Sequence, residues 1–140
     1  MSKEDLGVTI NVPSGAVAAG EEVDLTVRPC LNGQFILPEG YKPASPVYLI
    51  RGSTNFLEDV QVSIEHYAVL ESERDCNNMA FLFANITPVD GSNGPEYRFE
   101  EIPAEKYTFK EGQTVGTVAQ RHFAFIMVAK KQGKCQANFL

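Results

Sequence analysis

The residues with the widest chemical scope in this chain are two histidines, His66 and His122, and three cysteines, Cys30, Cys76 and Cys135. A zinc site needs about four ligands, usually gathered from close pairs such as C-x-x-C or H-x-x-x-H. None of these five residues is paired at such a spacing, so the sequence predicts no metal site, His66 included. Cysteines that are few and odd in number point to reduced thiols rather than a disulfide framework. Cys30 and Cys76 read as small buried hydrophobes, and Cys135, in a polar tail, as exposed. A nucleophilic serine would sit in a G-x-S-x-G elbow, and a phosphate cradle in a Gly-rich loop ending in Lys-Ser or Lys-Thr. The chain has neither, and no cofactor is expected. Glu71, Glu73 and Asp75 alternate, so an extended loop would bring them to one side. A calcium loop needs more oxygen ligands and a glycine at its sharp turn, and these acids read as solvated surface. Tyr97, Phe99, Tyr107 and Phe109 have the faces to stack on bases. No basic patch accompanies them, so they read as core.

Composition narrows the partners. The chain has 140 residues and a net charge of -6, with the acids spread along its length. That length fits one domain able to bury roughly 70% of its unfolded surface. The acidic balance argues against sequence-independent nucleic-acid binding and against docking on an anionic membrane. No apolar run approaches the roughly 20 residues that span a bilayer, so no membrane insertion is expected. Met1-Ser2-Lys3-Glu4-Asp5 has no hydrophobic signal region, which with the cysteine usage predicts a cytoplasmic setting, as a cytosolic protein or the cytosolic part of a membrane receptor. The sequon Asn85-Ile86-Thr87 is then a chance match.

The elements that must position these residues are short strands. Val8, Ile10 and Val12 alternate with Thr9 and Asn11, and Val23, Leu25 and Val27 alternate with Asp24, Thr26 and Arg28. Pro13 ends the first ladder, and Gly15 and Gly20 suit the corner between the two runs. The pattern predicts two adjacent antiparallel strands joined by a packed turn. Pro29 to Gly40 reads as loop, with Phe35-Ile36-Leu37 as an apolar anchor. Val47-Tyr48-Leu49-Ile50 and Met79 to Ala84 lack alternation and read as strands buried on both faces. Val60 to Glu65 alternates cleanly. Glu71 to Asn78 reads as an exposed loop or a single helical turn. Tyr97 to Glu100, Tyr107 to Phe109 and Val115 to Val118 follow as short strands, and His122 to Ala129 as the last and most apolar one. About nine strands at this spacing predict an all-β antiparallel sandwich with little helix. The strands from Tyr97 to Phe109 and the corner Pro13 to Gly20 are candidate binding surfaces, because an open sheet edge can accept a partner strand.

This order of features resembles the ZU-5 domain, the β-sandwich of zonula occludens proteins, ankyrins and netrin receptors. The resemblance is carried by Gly7 to Val17 with Gly20, by Leu37-Pro38-Glu39-Gly40 leading to Ser45-Pro46-Val47-Tyr48, by Phe56 to His66, and by His122-Phe123. It spans residues 6–131 and leaves 132–140 as a polar tail or the start of a linker. It implies a non-catalytic scaffold or adaptor module of a multidomain signalling protein, monomeric in isolation. Its partner would be a UPA-type or death domain, in cis, or another protein in trans. Relatives that bind spectrin rely on basic surface, which this acidic chain lacks. Relatives of the PIDD type cut themselves inside a His-Phe-Ser motif, where the serine hydroxyl attacks its own preceding carbonyl. The matching residues here are His122, Phe123 and Ala124. Ala124 has no nucleophile, so the alternative reading is a self-cleaving domain inactive at this position. His122 is then a strand-start histidine whose ring nitrogens satisfy nearby polar groups. A third class, a small-ligand sandwich, would show itself by a thermal shift with a metabolite.

Overall fold

The computed structural model describes residues 2–3, 7–30, 33–52, 56–91 and 94–132. The chain is all-β, and its sheets lie in layers. Ser2–Lys3 (β1), Val8–Asn11 (β2), Val60–Glu65 (β7), Val115–Gln120 (β13) and Tyr107–Thr108 (β12) form one antiparallel sheet in the order β1-β2-β7-β13-β12. Glu100–Glu101 (β11), Met79–Ala84 (β8), Phe125–Lys131 (β14), Val47–Gly52 (β6) and Leu25–Cys30 (β3) form a second, with Tyr41–Pro43 (β5) also paired to β14. Phe35–Ile36 (β4), Gly94–Arg98 (β10) and Val89–Gly91 (β9) make a small third sheet, in which β4 and β10 run parallel.

Strand patterning follows from this layering. β7 sits in an outer sheet and alternates: Val60, Val62 and Ile64 are buried, Gln61 and Glu65 exposed. Those valines and Ile64 pack with Val8, Ile10 and Val118 from their own sheet against Ile50, Phe81, Ile126 and Val128 from the second. The other face of the second sheet carries Leu49, Leu82, Phe125 and Met127, which pack under Phe35, Tyr97 and Phe99 near the small sheet. The Phe35 ring lies 5.3 Å from that of Phe125 and 5.8 Å from that of Phe99. β8 and β14 are therefore a middle layer, apolar on both faces, as the unbroken run of β8 predicts.

β14 changes partner along one flank. Phe125 and Ile126 pair with β6, while Ala129 to Lys131 pair with β5. At the join, the buried Ser45 hydroxyl accepts from the Val128 N–H at 2.9 Å and donates to the Pro46 carbonyl at 2.8 Å. A side chain thus fills the gap left in the backbone ladder.

Several expectations are corrected. β2 and β3 do not pair: β2 lies against β7 and β3 against β6, so the corner between them crosses from one sheet to the other. Alternation shows that each strand has an apolar face, and both faces are met by the same core from opposite sides. Gly20 has a φ of 82°, as a corner requires, but Gly15 does not lie in the positive-φ region. It sits in a 3-10 turn over Ser14–Ala16, and a Cβ there would stand 2.1 Å from the Glu58 carboxylate. Pro29 belongs to β3, tolerated because β3 is an edge strand. Fourteen strands are found among the described residues rather than nine, because pieces of two or three residues carry too few positions to show a period. Glu73–Asn77 (α1) is one helical turn, capped by the Ser72 hydroxyl, which accepts from the Asp75 N–H at 3.2 Å.

Candidate functional site

The residues matching the cleavage motif lie in the connection between β13 and β14. His122 is exposed, and the last strand begins at Phe125, so the expectation of a strand-start histidine is corrected. Phe123 is half-buried, with its ring edge-on to Phe56 at 5.8 Å. Ala124 is buried, and its carbonyl accepts from the Ile50 N–H at 2.9 Å. The carbonyl that a nucleophile at 124 would attack is that of Phe123, and the His122 that would serve as its base is exposed while residue 124 is buried. We expect Ala124→Ser to remain one chain on long incubation, read by intact-mass spectrometry. Two fragments split before residue 124 would overturn that expectation.

His66 is the buried histidine, at 3% exposure. It follows β7 and packs its ring on Phe109 at 5.7 Å. Nδ1 accepts from the Ala68 N–H at 3.2 Å, and Nε2 has no hydrogen-bond partner among the described residues. Burial pushes the imidazole below its ordinary value, against smaller upward pulls from the Ala68 contact and Glu65. The ring is neutral at neutral pH. Among the described residues, no group of three His, Cys, Asp or Glu is placed to hold a metal ion.

The described thiols are not activated. Burial pushes the Cys30 thiol up, partly offset by Arg28 and the Leu49 backbone. Burial also pushes up Cys76, joined by the carboxylates of Glu111, Asp75 and Glu73. Both thiols stay protonated at neutral pH. The expectation for Cys135 lies outside the described residues.

A polar cluster that sequence reasoning missed ties the sheets together. Glu101 on β11 accepts hydrogen bonds from the Tyr41 hydroxyl of β5 and, at 2.7 Å, from the Tyr107 hydroxyl of β12. The Lys131 ammonium of β14 stands 3.3 Å away. These groups join the edge of the first sheet to the edge of the second. They form a structural clamp: both oxygens of the carboxylate meet a donor within the protein.

The other feature missed is on the surface. The segment 66–71 is extended, with His66, Ala68 and Leu70 turned inward and Tyr67, Val69 and Glu71 outward. It belongs to no sheet, yet its backbone is held closely. The N–H groups of His66 and Tyr67 donate to the Thr114 and Ala44 carbonyls, both at 2.8 Å. The Leu70 carbonyl accepts from Gly112 at 2.8 Å, and the Glu71 N–H donates to the Asp75 carboxylate at 2.9 Å. Tyr67 and Val69, at 70% and 75% exposure, are the two most exposed large hydrophobic side chains among the described residues. A groove of about 490 Å³ runs between residues 68–71 and 111–114. In the sequence, His66 to Leu70 is only the stretch that leads from the alternating strand into the acidic piece at Glu71. Its outward apolar face becomes visible once no second layer covers it.

The strands first suspected as open edges divide. β11 and β12 are edge strands of two residues each, whereas β10 lies between β4 and β9. Tyr97, Phe99, Tyr107 and Phe109 pack with the core clusters, as expected of interior aromatics. The corner Pro13 to Gly20 keeps Ala16 fully buried and leaves Val12 beside a second groove of about 360 Å³. No protein-family model matches this chain, and no curated protein matches its sequence, so the ZU-5 resemblance rests on the motif residues alone.

Proposed function

We propose that this β-sandwich is a non-catalytic protein-interaction module of ZU-5 type, working as an adaptor in the cytoplasm. It would dock a UPA-type or death domain of its own parent chain, or a partner in trans. The observation that supports this reading is the presentation of Tyr67 and Val69. Two large apolar side chains are held out to solvent on a backbone fixed by hydrogen bonds to three other segments. A floppy loop would lose much of its binding energy in becoming ordered, whereas a pinned one has met that cost in folding. Burying each side chain in an interface contributes about 1.5–3 kcal/mol.

The test is a pull-down from cytosolic extract at moderate and then higher salt, followed by hydrogen exchange on the parent-length protein. A saturable partner that survives higher salt is expected for docking in trans, because apolar contacts are not screened. Slower exchange of residues 66–71 in the parent-length protein is expected for docking in cis. An empty lane together with unchanged exchange would overturn the proposal.

A further inference from the structure

The groove beside Tyr67 and Val69 has an acidic rim. Glu71 and Glu111 line it from its two sides. Asp75 is tied to the Glu71 backbone, and Glu73 lies on the same helical turn as Asp75. None of these four carboxylates takes part in an ion pair among the described residues, where the pairs found use Asp59, Glu96 and Glu101 instead. Within the segments 66–78 and 109–115 the only lysine or arginine residues are Arg74 and Lys110. An apolar pair is thus bordered by carboxylates that form no ion pair among the described residues.

Resting on the docking reading above, we infer that this groove receives an extended segment of a partner protein that carries an apolar anchor flanked by lysine or arginine. The groove lies between the extended stretch 68–71, which belongs to no sheet, and the turn at 111–114, and a linear segment can lie along the extended side. Its volume fits an anchoring side chain and part of its neighbours. Tyr67 is the residue type that dominates binding energy at interface centres. The carboxylates attract a basic flank and steer its approach. A second copy of this chain is the wrong occupant, because a two-fold contact would set the acidic rim against itself.

The test is to pan a library of random linear peptides on this chain and map the selected peptides by amide chemical shifts. The expected peptides carry an aromatic or aliphatic residue between Lys or Arg residues. Their titration shifts the amides of residues 66–71 and 111–115. Tyr67→Ser with Val69→Ser weakens them about tenfold or more. Glu71→Lys with Glu111→Lys, all surface changes, reverses the preference toward acidic peptides. Selection of acidic peptides by the unmodified chain, shifts at another face, equal binding by the serine variant, or no enrichment would each overturn the inference. A protein partner held equally by the serine variant would sink this site and leave the docking reading standing. Loss of every saturable partner would sink both.

Discussion

Glu101→Ala is expected to lower stability by about 2–4 kcal/mol, because it leaves two part-buried hydroxyls and an ammonium without their shared acceptor. For a chain of this size that is a fall of roughly 6–12 °C in Tm. Tyr41→Phe or Tyr107→Phe removes one donor each and should cost about 1–2 kcal/mol. The pH dependence separates this explanation from a simple packing loss. Burial alone would push the Glu101 carboxyl up, but hydrogen bonds from Tyr41 and Tyr107 and the Lys131 charge outweigh it and hold it below its ordinary value. Its stabilisation is therefore present above the ordinary carboxylate pKa of about 4.3 and is lost as pH falls through the lower folded value. Tyr41 is pushed up to about 12, by burial and then by Glu101. Tyr107 is pushed up for the same reasons. Their stabilisation is present below the ordinary tyrosine pKa of about 10 and is lost as pH rises through the folded values. Unfolding curves of wild type and Glu101→Ala should thus stay furthest apart between about pH 5 and pH 9 and converge on either side. A gap that is constant from acid to alkaline pH would show that the clamp acts only by filling space.

Phe81→Ala is expected to cost about 3–5 kcal/mol, a large part of the 5–15 kcal/mol that holds a domain folded. Phe81 is fully buried on β8. Its ring stacks on Phe109 at 5.3 Å and lies 5.9 Å from Tyr107. The cavity would open between the two main sheets, beside the ring that covers His66. Phe81→Leu keeps much of the volume and should cost about 1.5 kcal/mol or less. Urea unfolding measures both. An alanine variant with the wild-type midpoint would mean that Phe81 does not bridge the layers.

What could be read in the sequence was whatever depends on a single strand. The alternation of Val60, Val62 and Ile64 and the unbroken run from Met79 to Ala84 each report how many faces of that strand are covered. Which strand lies next to which is a property of pairs, and alternation carries no information about it. The corner at Pro13 therefore looked like a hairpin although it bridges two sheets. The Glu101 clamp was invisible for the same reason. Tyr41, Glu101, Tyr107 and Lys131 sit on four separate strands, and no spacing connects them. Ala124 was legible as a missing nucleophile because that is a statement about one side chain. The place of His122 was not, because it depended on where β13 ends and the turn begins.

β14 is the middle of the second sheet, with β8 on one side and β6 and β5 on the other, yet it follows every other described strand in the chain. During synthesis, β6 and β8 leave the ribosome long before the strand that separates them. Until β14 arrives, Leu49, Phe81 and Leu82 have edges with nothing to pair and faces with nothing to cover them. Closure of the sheet is then a late, long-range event, which makes folding slow and the nascent chain dependent on protection from aggregation. A ribosome stalled just before residue 125 should hold a chain that is protease-sensitive throughout, and one stalled well after residue 131 a chain that is resistant.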